Sequence, residues 1–338
     1  MRKLYCLLPG TTPPFGGGGL WAELKFIELA RQFCDVEIVT YRQYEPDRPF
    51  LDTLHNRHDP SAIFVMSWGF DVKKLAHRLR HDNVVYHAHS CGYPFQLPVR
   101  VPIVAVSRNT LGYWGRKAPN SPLFYVPNSI GEEFRDRHQH RDIDVLVQSR
   151  KMSSYVLDRL VPALQRVCRV HLIDRYVEDL AGLFNRSKVY LYDSADYWAV
   201  NGVTEGFGLP PMEAMACGCQ VFSSVNDALA DYLDPGFNCQ KIAVYSLDYD
   251  IQRIQAAVSG QQRPSVDGRF FDPYRDAAVA RKLQQVLLDI NQFFDHRDRH
   301  PNSLPQLTFW RLQQLWWQQV WQKLLKRSKR KEQAKLMK

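Results

Sequence analysis

The chain has no Cys-x-x-Cys pair. Its seven cysteines, at 6, 34, 91, 168, 217, 219 and 239, are odd in number and scattered. That excludes a zinc-ribbon spacing and a disulfide framework, and it fits a reducing compartment. Cys217-Gly218-Cys219 reads as two small residues at a turn. No stretch approaches the ~18 consecutive apolar residues of a membrane span. Arg2 and Lys3 precede an apolar run, but Pro9-Gly10 ends it too early for a signal peptide, so a cytoplasmic protein is expected. No Gly-Lys-Ser/Thr follows a glycine-rich loop, which excludes a P-loop. A Gly-x-Gly-x-x-Gly with an acid ~20 residues on is missing too, which argues against a dinucleotide-dependent oxidoreductase. Most of the chain also lacks a charge excess. The net charge is +9, and the segment from Lys323 onward carries eight Lys/Arg against one Glu, leaving +2 for the rest. The basicity belongs to a tail, and a nucleic-acid partner is not expected.

The 338 residues, 45% hydrophobic and 23% charged, suit a globular protein of roughly two domains. Short β-rich runs at 4–8, 36–39, 62–66, 84–86, 103–106 and 123–126 alternate with helical patterns at 20–33 and 72–79. The pattern restarts after a polar, charged stretch at 135–142, with strands at 143–147, 170–173, 189–192 and 220–222. Helical spacing recurs at 156–167, 177–184, 212–217 and 277–294. Alternation of this kind predicts two α/β halves, each a mostly parallel sheet covered by helices. The expected division is 1–138, 139–300 and a helical extension at 301–338.

Two segments carry chemistry. Gly16 to Gly19 stand between the first strand and the first helix. Glycines there serve either a flexible turn or a ligand-facing loop, and a following helix N-terminus favours an anion. The second segment runs from Thr204 to Gly218. Gly206 and Gly208 free the backbone, Pro211 suits a first helical turn, and Gly218 suits a helix end. Glu205 and Glu213 bracket the loop. A pyrophosphate flanked by two sugars would match this arrangement, and so would a capped helix whose acids serve its dipole.

This second segment resembles the E-x7-E motif of retaining GT-B glycosyltransferases of the large GT4-like family. Seven residues separate the two glutamates, and Gly206-Phe207-Gly208-Leu209-Pro210 and Glu213-Ala214-Met215-Ala216-Cys217-Gly218 follow the motif. Val106-Ser107, Val126-Pro127-Asn128 and the run from Asp144 to Arg150 resemble further landmarks, and the likeness covers about 1–235. It implies a GT-B fold of two Rossmann-like domains with a cleft between them, and hexosyl transfer from a nucleotide-sugar with retention. It further implies that Glu213 meets the ribose, Glu205 the donor sugar, and that Phe207, Gly208 and Leu209 offer backbone amides. Arg150, assisted by Lys151, would neutralise the diphosphate. Gly17, Gly18 and Gly19 would approach the phosphates from the other domain, and His89 rather than His87 would stand near the reacting sugar. No metal or other cofactor is expected. Asp142/Asp144 and Asp248/Asp250 read as strand-edge or loop acids.

Departures are Tyr155 where the family often has lysine, Ser129 for Gly, Gln220 for Pro, and a longer link over 192–204. The missing lysine leaves a second reading open, a nucleotide-sugar-binding protein without turnover. The link, with Tyr197, Trp198 and Asn201, reads either as a contact to donor or acceptor or as a surface insertion. The acceptor class is open: a sugar, a lipid-linked molecule or another small molecule. The Trp-rich stretch from Phe309 with its basic tail reads as a helix packed back on the first domain. The sharper alternative is an interfacial helix on an anionic membrane, which would place the protein at the membrane's inner face.

Overall fold

The computed structural model describes residues 1–338 except 13–14, 55–58, 68, 261–265, 306–307 and 337–338, with the side chains of the last helix described as far as Lys326. Pro13 and Pro14 of the glycine-rich turn and the end of the basic run lie outside the described residues.

The first sheet holds β1 (Lys3–Leu8), β2 (Val36–Thr40), β3 (Ala62–Met66), β4 (Val84–Ala88), β5 (Ile103–Ala105) and β6 (Leu123–Tyr125). Their order is β2-β1-β3-β4-β5-β6, parallel throughout. The connecting helices are α1 (Gly18–Ala30), α2 (Leu51–Leu54), α3 (Val72–Arg78) and α4 (Arg108–Lys117). The second sheet holds β7 (Ile143–Gln148), β8 (Val170–Ile173), β9 (Ser187–Tyr192), β10 (Gln220–Ser223) and β11 (Cys239–Lys241). It is ordered β11-β10-β9-β7-β8 and is also parallel. Around it run α5 (Val161–Leu164), α6 (Leu180–Asn185), α7 (Ala195–Asn201), α8 (Leu209–Ala216) and α9 (Leu247–Val258), followed by α10 (Asp276–Arg297) and α11 (Phe309–Leu336).

The strands are apolar on both faces because both faces are covered. Leu4, Cys6, Leu8, Ile63 and Val65 point into one core with α1 and α10, while Leu7, Phe64 and Met66 point into the other, with Val72, Leu75 and Trp114. The second sheet repeats the scheme. Tyr190 and Tyr192 face α6 and α8, and Val189 and Leu191 face the α5 and α9 side. The long helix α10 returns to the first sheet. Val279, Leu283, Val286, Leu287, Ile290 and Phe294 form a helical stripe buried against α1, and Lys25 pairs with Asp276 at 2.8 Å. It is α10 that packs back on the first sheet, whereas Trp310, Trp316, Trp317 and Trp321 of α11 are all more than half exposed.

Three local features depart from the expected helices. The stretch expected at 156–167 is a π-helical turn, Tyr155–Leu160, followed by the single turn of α5. Pro162 has no N–H to donate to Asp158 and its ring crowds that carbonyl, so the ladder widens. Helix α4 starts at a cap not read from the sequence, the Ser107 hydroxyl accepting from the Thr110 amide. Helix α7 lies within the long 192–204 link and ends on Gly202, whose φ of 65° is left-handed.

Candidate active site

In both sheets the strand order reverses beside the first strand: β2 and β3 flank β1, and β8 and β9 flank β7. Loops leaving the carboxyl ends of such neighbours diverge and leave a crevice. The two crevices face each other across one cavity of about 370 Å³. Gly17, Gly18 and Gly19 line it from after β1, Ser67 and Phe70 from after β3, and His89, Ser90 and Tyr93 from after β4. Arg150 and Lys151 enter from after β7, Tyr192, Tyr197 and Trp198 from after β9, and Glu205 to Pro210 from the entry to α8. Of the residues expected at the site, His89, Arg150, Lys151, Glu205, Phe207, Gly208, Leu209 and the three glycines thus share one space. Glu213 does not line it. Its carboxyl opens with His87 onto an adjoining cavity of about 220 Å³, and Leu209 borders both spaces.

Two helices begin at the main cavity on glycine N-caps, Gly17 for α1 and Gly208 for α8, and neither has a side-chain cap. The first amides of α1 have no intrahelical partner, and in α8, where Pro210 and Pro211 carry no N–H, the free amides are those of Gly208 and Leu209. Gly208 has a φ of 79°, and a Cβ there would strike Leu229, so glycine is required. A Cβ on Gly17 would stand 3.0 Å from the Arg150 guanidinium, so the loop of the first domain and the arginine of the second lie side by side. Gly206 backs onto the His89 carbonyl oxygen, and any side chain there would run into it.

Glu205 is buried, and its Oε2 accepts from the Tyr192 hydroxyl at 2.5 Å, Ser194 at 3.2 Å and the Trp198 indole at 2.8 Å. Trp198 comes from α7, so the 192–204 link holds the glutamate and is no mere surface insertion. The link also grips the first domain: Ser90 donates to the Thr204 carbonyl at 2.7 Å, and the Cys91 amide donates to the Thr204 hydroxyl at 2.9 Å. Lys151 holds a left-handed φ of 64°. Its ammonium lies 4.1 Å from the Trp198 ring centre. Burial lowers its pKa, with Arg150 adding to the effect and Glu205 opposing it. Tyr155, at the position where lysine was expected, is elsewhere; its hydroxyl donates to Asp250 at 2.7 Å. Of the other acids read as strand-edge or loop residues, Asp142 pairs with Arg186 and Asp144 with Lys188.

One charged residue escaped the sequence reading. Glu23 of α1 is buried, and its Oε2 lies 2.7 Å from His87 Nδ1 and 2.8 Å from His89 Nε2. Burial alone would raise its pKa, but the two imidazoles outweigh that and hold it at about 2. Burial and the neighbouring His87 lower the pKa of His89. The available signal was an acid inside an otherwise apolar helical face, among Leu20, Phe26, Ile27 and Ala30. Glu23, His87 and His89 are also the group among the described residues whose ligand atoms, all within 4.8 Å, have metal-ligand spacing. Glu213 has the opposite environment. Burial, with Glu133 nearby, pushes its carboxyl up to about 8.

Two parallel α/β domains whose strand ends close on one cleft define the GT-B architecture. Sucrose-phosphate synthase from Thermosynechococcus elongatus shares it at a TM-score of 0.62, with 14% identity over 86% of this chain and 100% of that one. HepE from Anabaena, solved with UDP and glucose, superposes at 0.56, 14% identical over 90% of this chain and 100% of that one. A glycosyltransferase from Rickettsia africae superposes at 0.53, 10% identical over 86% and 98%. Residues 169–299 match the family described as glycosyl transferases group 1. The chain has the GT-B fold, and its second half carries a match to the group 1 glycosyl transferase domain. No protein of curated function matches it in sequence.

Proposed function

We propose that the protein transfers a hexosyl group from a nucleotide-sugar to an acceptor hydroxyl with retention of configuration. The observation that carries this reading is the convergence of two uncapped helix N-termini with Arg150 and Lys151 on the cavity beside Glu205. Oriented amides and fixed cations favour a diphosphate. As the bond from the anomeric carbon to the phosphate oxygen breaks, its electron pair leaves on the diphosphate. Positive charge grows on the sugar. Donors already in place stabilise the departing charge without reorganisation. Glu205 Oε2 has three donors, which leaves Oε1 to accept from sugar hydroxyls. Glu213 accepts from the ribose, and His89 stands beside the reacting sugar. No metal enters this scheme.

HepE has been solved with UDP-glucose, which makes that conjugate a first probe beside its GDP and ADP counterparts. Calorimetry without metal should find one nucleotide conjugate that binds, with Arg150→Ala weakening it by tenfold or more. Turnover with a panel of acceptors separates transfer from binding alone; a chain that binds but never releases the nucleoside diphosphate is a binding protein. A lipid surface is the second part of this reading. The exposed Trp310, Trp316, Trp317 and Trp321, next to a net +7 segment, suit an anionic headgroup layer. No described helix is long and apolar enough to cross a membrane. Sedimentation with phosphatidylglycerol vesicles at low salt should be lost on deleting 323–338, and an intact protein that stays in the supernatant would refute it.

A further inference from the structure

We infer that Glu23, His87 and His89 form a binding site for one divalent cation of the zinc class, and that an ion held there opposes the transfer. The ion site stands on its own geometry. Its effect on turnover rests on the transfer reading above.

The three side chains meet from two elements, Glu23 from α1, and His87 and His89 from β4 and the loop after it. Glu23 Oε2 stands 2.7 Å from His87 Nδ1 and 2.8 Å from His89 Nε2, and the three ligand atoms lie within 4.8 Å of one another. Ligand atoms at right angles around an ion with bonds of ~2.1 Å are about 3.0 Å apart, so an ion enters on shifts of a few tenths of an ångström. The His87 ring is braced, packing at 4.3 Å on Phe26 and at 4.3 Å on His89. Hydrogen bonding alone accounts for only half of the carboxylate. Oε2 serves both imidazoles, while Oε1, also buried, has no partner among the described residues. Buried carboxylate oxygens are normally paired, and a cation shared with the two rings would pair this one.

The donor set decides the ion. Two imidazoles and one carboxylate suit zinc and its neighbours cobalt and nickel, whereas magnesium and calcium take oxygen ligands. Three protein ligands leave one of zinc's four positions to water. Glu23 and His89 both line the main cavity, which gives the ion its way in. The ion takes the ring nitrogens that otherwise donate to Oε2, and each neutral ring keeps its proton on the other nitrogen. Its charge then stands beside the space in which positive charge grows on the sugar, and so raises the barrier. The exposed His296 and His300, stacked at 4.4 Å at the end of α10, are a second imidazole pair, but among the described residues no third ligand of this spacing joins them.

The test is titration of the tag-free, chelator-treated protein with Zn²⁺ by calorimetry and with Co²⁺ by visible absorption. At micromolar zinc one ion per chain should bind, and excess Mg²⁺ should not displace it. E23Q and H89A should each weaken zinc by at least tenfold and remove the Co²⁺ bands, while H300A leaves both unchanged. H89A, at the cavity edge, carries the test if E23Q fails to fold. Turnover should fall as zinc fills the site and recover on adding EDTA. No zinc bound at micromolar concentration, affinity indifferent to H89A, or affinity lost in H300A would overturn the ion site. Turnover undisturbed by saturating zinc would overturn the inhibition. Zinc bound as expected by a protein that never turns over a nucleotide-sugar would instead refute the transfer reading and leave the ion site standing.

Discussion

Ionisation of Glu213 should set the pH dependence of donor binding. Its carboxyl stands at about 8 in the ligand-free protein because burial disfavours the charge and Glu133 adds repulsion. A ribose that donates hydroxyl hydrogen bonds needs the carboxylate. Only about one molecule in ten is ionised at one pH unit below the pKa, and about one in a hundred at two units. Affinity for whichever nucleotide-sugar binds, its diphosphate charge being constant over this range, should rise about tenfold per unit from about pH 6 to about pH 8 and then level off. Binding near pH 7 should release a proton, visible as a buffer-dependent calorimetric enthalpy. Stability of the free protein should move the other way. An acid whose folded pKa is raised holds more protons folded than unfolded between its ordinary value of 4.5 and about 8. Its contribution is therefore present at low pH and lost as pH climbs through that window, by at most ~1.4 kcal/mol per unit. Glu213→Gln imitates the protonated acid and should flatten both curves while binding more weakly at high pH. A wild-type affinity constant within twofold from about pH 6 to about pH 9, or a Gln variant that keeps the slope, would refute the reasoning.

The remaining predictions concern packing and placement. Gly206→Ala forces the second domain away from the His89 carbonyl; turnover should fall by about a hundredfold while circular dichroism stays native. Trp198→Phe removes one of three donors to Glu205. It should lower kcat by several-fold and leave the acceptor KM close to wild type, since a ring remains; an unchanged kcat would show that Glu205 is held without it. Leu283→Ala opens a cavity between α10 and the first sheet, where the side chain is fully buried. It should cost ~2–5 kcal/mol by denaturant titration, and a loss under ~1 kcal/mol would mean that α10 is not part of that core.

Much of this was legible because the fold rests on two periodicities. Apolar strands between helical stripes announced parallel sheets, and Gly206, Gly208 and Pro211 announced the entry to α8, while the spacing of Glu205 and Glu213 took its meaning from the family resemblance. What stayed hidden depends on contacts between segments far apart in the chain. Ser107 caps α4, but the helix itself is poor in apolar residues, so no stripe advertised it. The lysine position was misleading in the same way. Tyr155 falls in the π-helical turn and faces Asp250, while Lys151 reaches the cavity through a left-handed backbone that no pattern in the sequence foretells.

The two histidines show how strand geometry resolves what spacing leaves open. Along β4 the side chains alternate. Val84, Tyr86 and Ala88 enter the core beneath α4, and Val85 enters the core beneath α1. His87 must therefore point to the α1 side, and His89, two residues on, to the same side. Both meet Glu23 for that reason, and one carboxylate oxygen serves both rings. They differ only in depth. His87 lies within the strand, 2% exposed, while His89 stands past its carboxyl end, 18% exposed, where the main cavity opens. A residue at the carboxyl end of a parallel strand meets ligand, and one inside the strand meets core. Replacing Glu23 by Gln should then act on both at once. The neutral amide oxygen is a weaker acceptor than the carboxylate for both imidazoles, so His89 is held less firmly. If His89 stands beside the reacting sugar, Glu23→Gln should lower kcat with donor affinity unchanged, although Glu23 is itself buried and, among the described residues, bonded to the two histidines. Turnover equal to wild type would place His89 outside the reaction.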